Sequence, residues 1–261
     1  MNDATEPIHH AAAKGYTSKA EMYAQSRPDY PPGMVDWLRQ RLGVEAGKLV
    51  VDLGAGTGTF TRYLVETGAR VIAVEPVKQM REQLAKRLPG IEILEGTATA
   101  IPLPDNSVDA LTCAQSFHWF ATKAALAEFH RVLKPWGKLA LIWNRRDDTV
   151  PWVAQLRDIL APHQGDTPRF TAKTLSSVFP CDGFGPLHAN RFPHPGHTGA
   201  AEGVIVNRFR STSFIAALPP GEEAKVVAAI RALIASTPEL AGKDIVTVPY
   251  DTVVYWADKT G

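Results

Sequence analysis

Between Lys48 and Trp143 the chain alternates short apolar runs with longer segments of amphipathic spacing. LVVDL (49–53), RVIAVE (70–75), IEIL (91–94), VDALTCA (108–114) and KLALIW (138–143) are too short for helices and rich in Val, Ile and Leu, so they predict buried strands. The intervening FTRYLVETG (60–68), VKQMREQLAKRL (77–88) and KAALAEFHRVLK (123–134) have helical spacing. Gly68, Pro89-Gly90 and Pro135-Trp136-Gly137 supply their stops. Strands that are apolar throughout and alternate with helices need crossovers, which predicts an α/β fold with a doubly wound, mostly parallel sheet covered on both faces.

Two regions flank this core. SRPDYPP (26–32) lies between segments read as helical, SKAEMYAQ (18–25) and GMVDWLRQRL (33–42). Beyond Trp143, PWVAQLRDILA (151–161), AAEGVIVNRFRSTSFIAAL (200–218) and EEAKVVAAIRALIAS (222–236) predict helices, and PLHANRF (186–192) a short strand. DIVTVPYDTVVYWA (244–257) reads as one long strand bent or bulged at Pro249. The expected organisation is a cap segment over 1–46, a core over 47–145, and a remainder, 146–261, that completes the same domain and carries a helical lid over about 198–240.

Composition narrows the function classes. A net charge of +1 provides no electrostatic footprint for nucleic acid, so no nucleic-acid partner is expected. No apolar stretch has the length of a bilayer span, and the first residues lack the apolar core of a secretory signal. Cys113 and Cys181 lie far apart and form no CxxC pair, which fits two thiols in a reducing compartment. These readings place the chain in the cytoplasm as a monomer or weak homodimer. His194 and His197 have no acid or cysteine at ligand spacing, so they are read as loop residues and no metal is expected.

Candidate chemistry is concentrated in VVDLGAGTGTF (50–60). An apolar strand ends at Asp52 and passes through Gly54, Gly56 and Gly58 towards a helix. Glycines let the backbone turn tightly and approach a ligand closely, and the following N–H groups favour an anionic ligand part. Glu75, closing the second strand, is placed to accept hydrogen bonds from both hydroxyls of an adenosine ribose. A nicotinamide dinucleotide site wants G-x-G-x-x-G, whereas the run here is G-x-G-x-G, which disfavours a nicotinamide-dependent oxidoreductase.

DLGAGTG, Glu75 and LKPWG (133–137) resemble the class I S-adenosylmethionine-dependent methyltransferases over residues 48–144. The resemblance implies a Rossmann-like sheet of seven strands, parallel except for an antiparallel last strand, and S-adenosyl-L-methionine as cofactor. It places Gly54, Ala55 and Gly56, with Asp52 nearby, at the methionine part of the cofactor. It gives Glu75 the ribose hydroxyls, Pro76 and Met80 the adenine surroundings, and Thr97 and Ala98, in GTATAIPLPDNSVD (96–109), the adenine edge. Relatives often carry Asp where this chain has Thr97, whose hydroxyl is a weaker acceptor for the adenine amino group. YAQSRPDYP (23–31) resembles the leading segment of the subgroup that includes trans-aconitate methyltransferase. There the segment folds over the cofactor, which would bring Arg27 to the methionine carboxylate and Tyr23 and Tyr30 to the pocket wall. Tyr30 alternatively packs on the sheet.

AQSFHWF (114–120) follows the fourth strand, where open α/β sheets place ligands. It would set Gln115 and Ser116 beside the cofactor and His118, Trp119 and Phe120 towards a small-molecule acceptor. His118 is the candidate general base, because its unperturbed pKa lies near neutrality. The alternative is a turn that only packs against the core. The segment lacks the NPPY-like motif of amino-methyltransferases that act on DNA and RNA. Arg208, Arg210, Ser211 and Ser213 would suit an acidic substrate, or are solvated surface groups. The expected activity is methyl transfer to oxygen of a small molecule, ahead of sulfur or nitrogen, and the resemblance to the trans-aconitate methyltransferase subgroup makes a carboxylate the attractive acceptor, one that needs no base. A binding module that keeps the cofactor pocket without catalysis is the other reading.

Overall fold

In each central strand of the computed structural model the side chains alternate between two hydrophobic cores, one on either side of the sheet. The structure describes residues 21–23 and 25–261. In β1 (Leu49–Leu53), Val51 and Leu53 enter one core while Val50 enters the other. β2 (Arg70–Val74) divides Ile72 and Val74 from Val71, and β4 (Val108–Ala114) divides Leu111 and Cys113 from Ala110. Period-two alternation between two buried faces produces apolar runs without polar interruption. Residues of α1 (Met34–Leu42) and α2 (Thr61–Glu66) cover one face, with Trp37, Leu38 and Leu64 in that core. The other is covered by α4 (Lys123–Val132) through Leu126 and Phe129, the third helix, α3 (Lys78–Arg87), following β2.

With β3 (Glu92–Leu94), β5 (Leu133–Arg146), β6 (His188–Pro193) and β9 (Tyr250–Asp258) the sheet has seven strands in the order β3-β2-β1-β4-β5-β9-β6. β9 runs antiparallel to both its neighbours, as expected for the last strand, and the order reverses between β1 and β4. Such a reversal opens a crevice at the carboxyl ends of the strands.

Three elements differ from expectation. β5 is longer than KLALIW: Leu133 pairs with Val108 and Lys138 with Ala110, and LKPWG forms an irregular bulge with Trp136 in the left-handed region (φ 64°). At its other end β5 continues through Arg146 because β9 pairs with it residue by residue. The helix expected over 200–218 is instead a π-helical segment, Glu202–Asn207, followed by two short helices, α7 (Arg208–Arg210) and α8 (Ser213–Ala216). Val204, Ile205 and Val206 are consecutive and all buried, a wider apolar face than α-helical spacing presents, and β-branching weakens the α-helix further. Finally, Pro249 divides the expected long strand in two. β8 (Val246–Val248) pairs with β7 (His197–Gly199) in a separate small sheet, and β9 enters the large one. Of the expected helix 18–25, residues 18–20 lie outside the described part, and 21–23 and 25 are helical.

A third core joins α5 (Pro151–Leu160) and α9 (Pro220–Ser236) to the π-helical segment through Trp152, Leu156, Ile205, Phe209 and Ile230. The far end of the sheet is fixed by Lys259, 6% exposed, whose Nζ donates to Asn106 Oδ1 (2.8 Å) and to the carbonyls of His130 and Leu133 (2.7 Å each). Those carbonyls belong to the C-terminal end of α4, where a cation is favoured. Lys259→Met is expected to lower stability by about 1–3 kcal/mol, as three acceptors, the Leu133 carbonyl among them buried, lose their donor. Urea denaturation checks this; an unchanged midpoint would show that the ammonium contributes nothing.

Candidate functional site

The loops at the carboxyl ends of β1, β2, β3 and β4 surround a cleft of about 170 Å³. Tyr23, Arg27, Tyr30, Gly54, Ala55, Gly56, Glu75, Pro76, Met80, Thr97, Ala98, Gln115, Ser116, Trp119 and Phe120 all line it, so these expected site residues are brought together. Asp52 and His118 do not line it. Asn144, Arg208 and Tyr250 line it without having been named for the cofactor. Asn144 lies on β5, and its position at the carboxyl end of an expected strand is the signal that could have found it.

The turn after β1 is shaped by close approach. Gly54 has φ 67° and donates its N–H to the Val74 carbonyl (2.8 Å), and a Cβ there would stand 2.6 Å from Ser116 Cβ. Any side chain at that position would force the β4 loop away. At Gly56 (φ 57°) the opposite holds, for a Cβ would meet nothing within 4 Å. The missing side chain leaves the cleft wall as bare backbone, which a ligand can approach closely.

Glu75 is 6% exposed. Its Oε2 accepts from the Gly56 N–H and its Oε1 from the Val77 N–H, both at 2.9 Å. Burial pushes the carboxyl up to about 7, although both N–H bonds favour the ionised form. Asp52 stands behind the turn, 1% exposed, where it accepts from Thr61 Oγ1 (2.7 Å) and Thr112 Oγ1 (3.3 Å). Burial pushes its carboxyl up to about 6. Its side chain ties the start of α2 to β4 behind the turn.

Gln115 adopts φ 59°, rare for a side chain with a Cβ, and is held there by its N–H to Ile142 O (2.8 Å) and its Nε2 to Asn144 O (3.1 Å). Ser116 Oγ donates to Leu53 O (2.8 Å), locking the β4 loop to the glycine turn. Met80, 1% exposed, packs with Val77 and Tyr23. The N-terminal arm lies across the cleft. The Arg27 guanidinium sits 3.7 Å from the Tyr23 ring centroid and donates to Ser211 O (3.0 Å), and Ser26 Oγ meets Ser211 Oγ at 3.0 Å. Asp29 O accepts from Asn144 Nδ2 (2.9 Å) and His194 Nε2 (2.7 Å). Tyr30 packs edge-on to Phe60, 4.8 Å between centroids, so it both lines the cleft and joins the core.

Next to the cleft lies a larger cavity of about 690 Å³, and the two share Tyr23, Arg27, Gln115, Trp119, Asn144 and Arg208. His118 faces this second space. Its Nδ1 accepts from Trp143 Nε1 (3.3 Å), so the neutral ring carries its proton on Nε2, and burial lowers its pKa to about 4. A ring in that state is a hydrogen-bond donor. Among the described residues lining the two spaces the carboxylates are Glu75 and Asp148, and Asp148 pairs with Arg157 at 3.1 Å. No group of His, Cys, Asp and Glu that could hold a metal occurs among the described residues, and no helix there is long and apolar enough to cross a membrane.

A family model for a methyltransferase domain matches residues 51–141. The chain is 38% identical over 248 residues to an uncharacterised methyltransferase-like protein of Schizosaccharomyces pombe, covering 94% of this chain and 96% of that one. It is 37% identical over 238 residues to an uncharacterised methyltransferase of Mycobacterium tuberculosis, with coverages of 91% and 93%. Among solved structures it is similar to the YcgJ protein of Bacillus subtilis, with a TM-score of 0.54 at 19% identity over 87% of this chain and 98% of that one. A second, with a TM-score of 0.58 at 15% identity, is phosphoethanolamine N-methyltransferase 2 of Haemonchus contortus, bound to phosphomonomethylethanolamine and S-adenosylhomocysteine, over 98% of this chain and 60% of that one. The chain therefore belongs to the class I S-adenosylmethionine-dependent methyltransferases, and is an enzyme with S-adenosyl-L-methionine as its cofactor.

Proposed function

We propose that the cleft holds the cofactor and that methyl transfer is to a carboxylate oxygen of a small molecule seated in the adjoining cavity. The observation that carries this reading is the buried Glu75 carboxylate, fixed by the Gly56 and Val77 N–H groups beside a glycine turn left open to the cleft. A carboxylate with free lone pairs fits two ribose hydroxyls, and the bare backbone at Gly56 fits close approach of the methionine part. Pro76 and Met80 supply an apolar surface for adenine, with Thr97 and Ala98 at its edge. Arg27 and Tyr23 close the cleft from the arm, and Gln115 and Ser116 hold the wall opposite Gly54. When bound, the cofactor supplies an electrophilic methyl on a cationic sulfur. The protein's own contribution is to hold donor and acceptor in line and to exclude water.

What supports a carboxylate acceptor is the shortage of a base. Glu75 is taken up with the turn, Asp148 with Arg157, and His118 presents an N–H. An acceptor that arrives ionised needs no proton removed. In this reading His118, Trp119 and Phe120 position the acceptor, and His118 donates a hydrogen bond to it where a base would have accepted a proton.

Glu75 makes cofactor affinity depend on pH. Ribose hydroxyls donate to the ionised carboxylate, and the free group titrates at about 7. Affinity for S-adenosylhomocysteine should therefore rise by roughly tenfold from pH 6 to pH 8. Glu75→Gln should flatten that dependence and weaken binding by about 1–3 kcal/mol. Calorimetric titration across the range tests this, and a flat profile in the unaltered protein would remove Glu75 from the ribose contact. With cofactor saturating, kcat should show no rising limb near pH 6.5, and His118→Ala should lower kcat several-fold at unchanged cofactor affinity. A limb at that pH, abolished by the substitution, would restore His118 as a base.

A further inference from the structure

Six arginines line the larger cavity, Arg27, Arg145, Arg146, Arg157, Arg169 and Arg208, against one acid, Asp148. Most of this charge is already engaged. Arg157 pairs with Asp148 and Asp158, Arg145 lies 3.5 Å from Asp251, Arg27 donates to Ser211 O, and Arg169 is exposed at the rim. Arg146 and Arg208 are different: neither makes an ion pair with any described carboxylate within 4.0 Å. Both stand against the ring of Phe209, with the guanidinium carbons 4.9 Å and 5.7 Å from its centroid, and Phe209 is 1% exposed. The Arg208 Nε is buried without a hydrogen-bond partner, and its Nη1 reaches only Thr212 Oγ1 at 3.3 Å.

Two like charges gathered in a partly dry space, with Asp148 as the one acid lining it and that acid paired to Arg157, are costly unless something anionic completes them. The local electrostatics agree: burial lowers the Arg146 pKa, the Tyr250 phenol and the more distant Asp148 offset part of that, and Arg208 lowers it further. The aromatic platform gives the pair a fixed position, and planar guanidinium forks match carboxylate and phosphate oxygens. Position matters too. Arg208 borders both spaces whereas Arg146 borders only the larger, so an anion between them would lie beyond the junction at Gln115, Trp119 and Asn144.

We infer that Arg146 and Arg208 form a subsite for a second anionic group on the methyl acceptor, so that the acceptor is at least a dianion with one acid at the junction and another on the arginine pair. This rests on the acceptor placement proposed above. The second group is a carboxylate or a phosphate, which the two-arginine chemistry serves alike, and the test separates the two sources.

The experiment is calorimetry on the full chain saturated with S-adenosylhomocysteine, titrated with succinate, glutarate and tricarballylate, with 3-phosphoglycerate, and with butyrate as the single-acid control. At least one diacid or the phosphate ester is expected to bind ten times more tightly than butyrate, and which of them does identifies the group. Arg146→Gln and Arg208→Gln should each reduce that preference to within twofold, and Arg146→Gln, which alters no residue lining the cofactor cleft, should leave S-adenosylhomocysteine affinity, which also reports folding, within twofold. Arg146→Lys, which keeps the charge and loses the fork, should retain part of the preference. Equal binding of all probes, or a preference that survives both substitutions, would overturn the subsite. A tenfold loss of S-adenosylhomocysteine affinity in a folded Arg146→Gln variant would assign the pair to the cofactor instead. Failure of the unaltered chain to bind S-adenosylhomocysteine would overturn both the cleft and the subsite defined beside it.

Discussion

The Glu75 carboxylate is the point on which the site depends. It joins two loops from different strands, taking the Gly56 N–H on one oxygen and the Val77 N–H on the other. A carboxylate at this depth is expensive to ionise, and burial alone would drive it neutral; the two N–H bonds bring it back into the range where it can change state. Parallel to this strap, Gly54 and Ala55 donate to the Val74 carbonyl. The ends of β1 and β2 are thus one rigid piece before any ligand arrives. Asp52 mirrors Glu75 on the inner side of the turn, spending its oxygens on Thr61 and Thr112. Two acids a strand apart are divided between building the crevice and furnishing it.

The rest of the chain closes what that piece leaves open. Residues 26–30 are held at one end by Ser211 and at the other by Tyr63, with Asn144 and His194 between, so the arm bridges the helical region and the sheet. The helical region rests on its own core around Trp152, Ile205 and Ile230, and reaches the large sheet through the short link at Pro249. The larger cavity lies where these parts meet.

How much of this could be read from the sequence follows from where each residue's constraint arises. The central strands were legible because both faces are buried, so composition alone marks them. The glycine turn and Glu75 were legible because close approach and a carboxylate at a strand end are local features. The bonds of Asp52 to Thr61 and Thr112 were not legible, because they depend on strand alternation relative to two packed neighbours and not on its distance from the glycines. The tautomer of His118 was not legible, because Trp143, twenty-five residues away, sets it. That Arg146 lines the larger cavity was not legible because β5 was expected to stop at Trp143, and only pairing with β9 carries it further. The π-helical segment has no period that apolar patterning detects, and its three consecutive buried residues make sense only against α5 and α9.

The 2.6 Å between an imagined Cβ at Gly54 and that of Ser116 has a consequence for how such a protein can diverge. At that point the glycine turn has no room for an added atom, so a side chain there would push the β4 loop away. The opposite chamber is walled by long side chains carried on loops and short helices, each replaceable without moving the sheet. The larger cavity can therefore change its lining while the glycine turn is inherited unchanged.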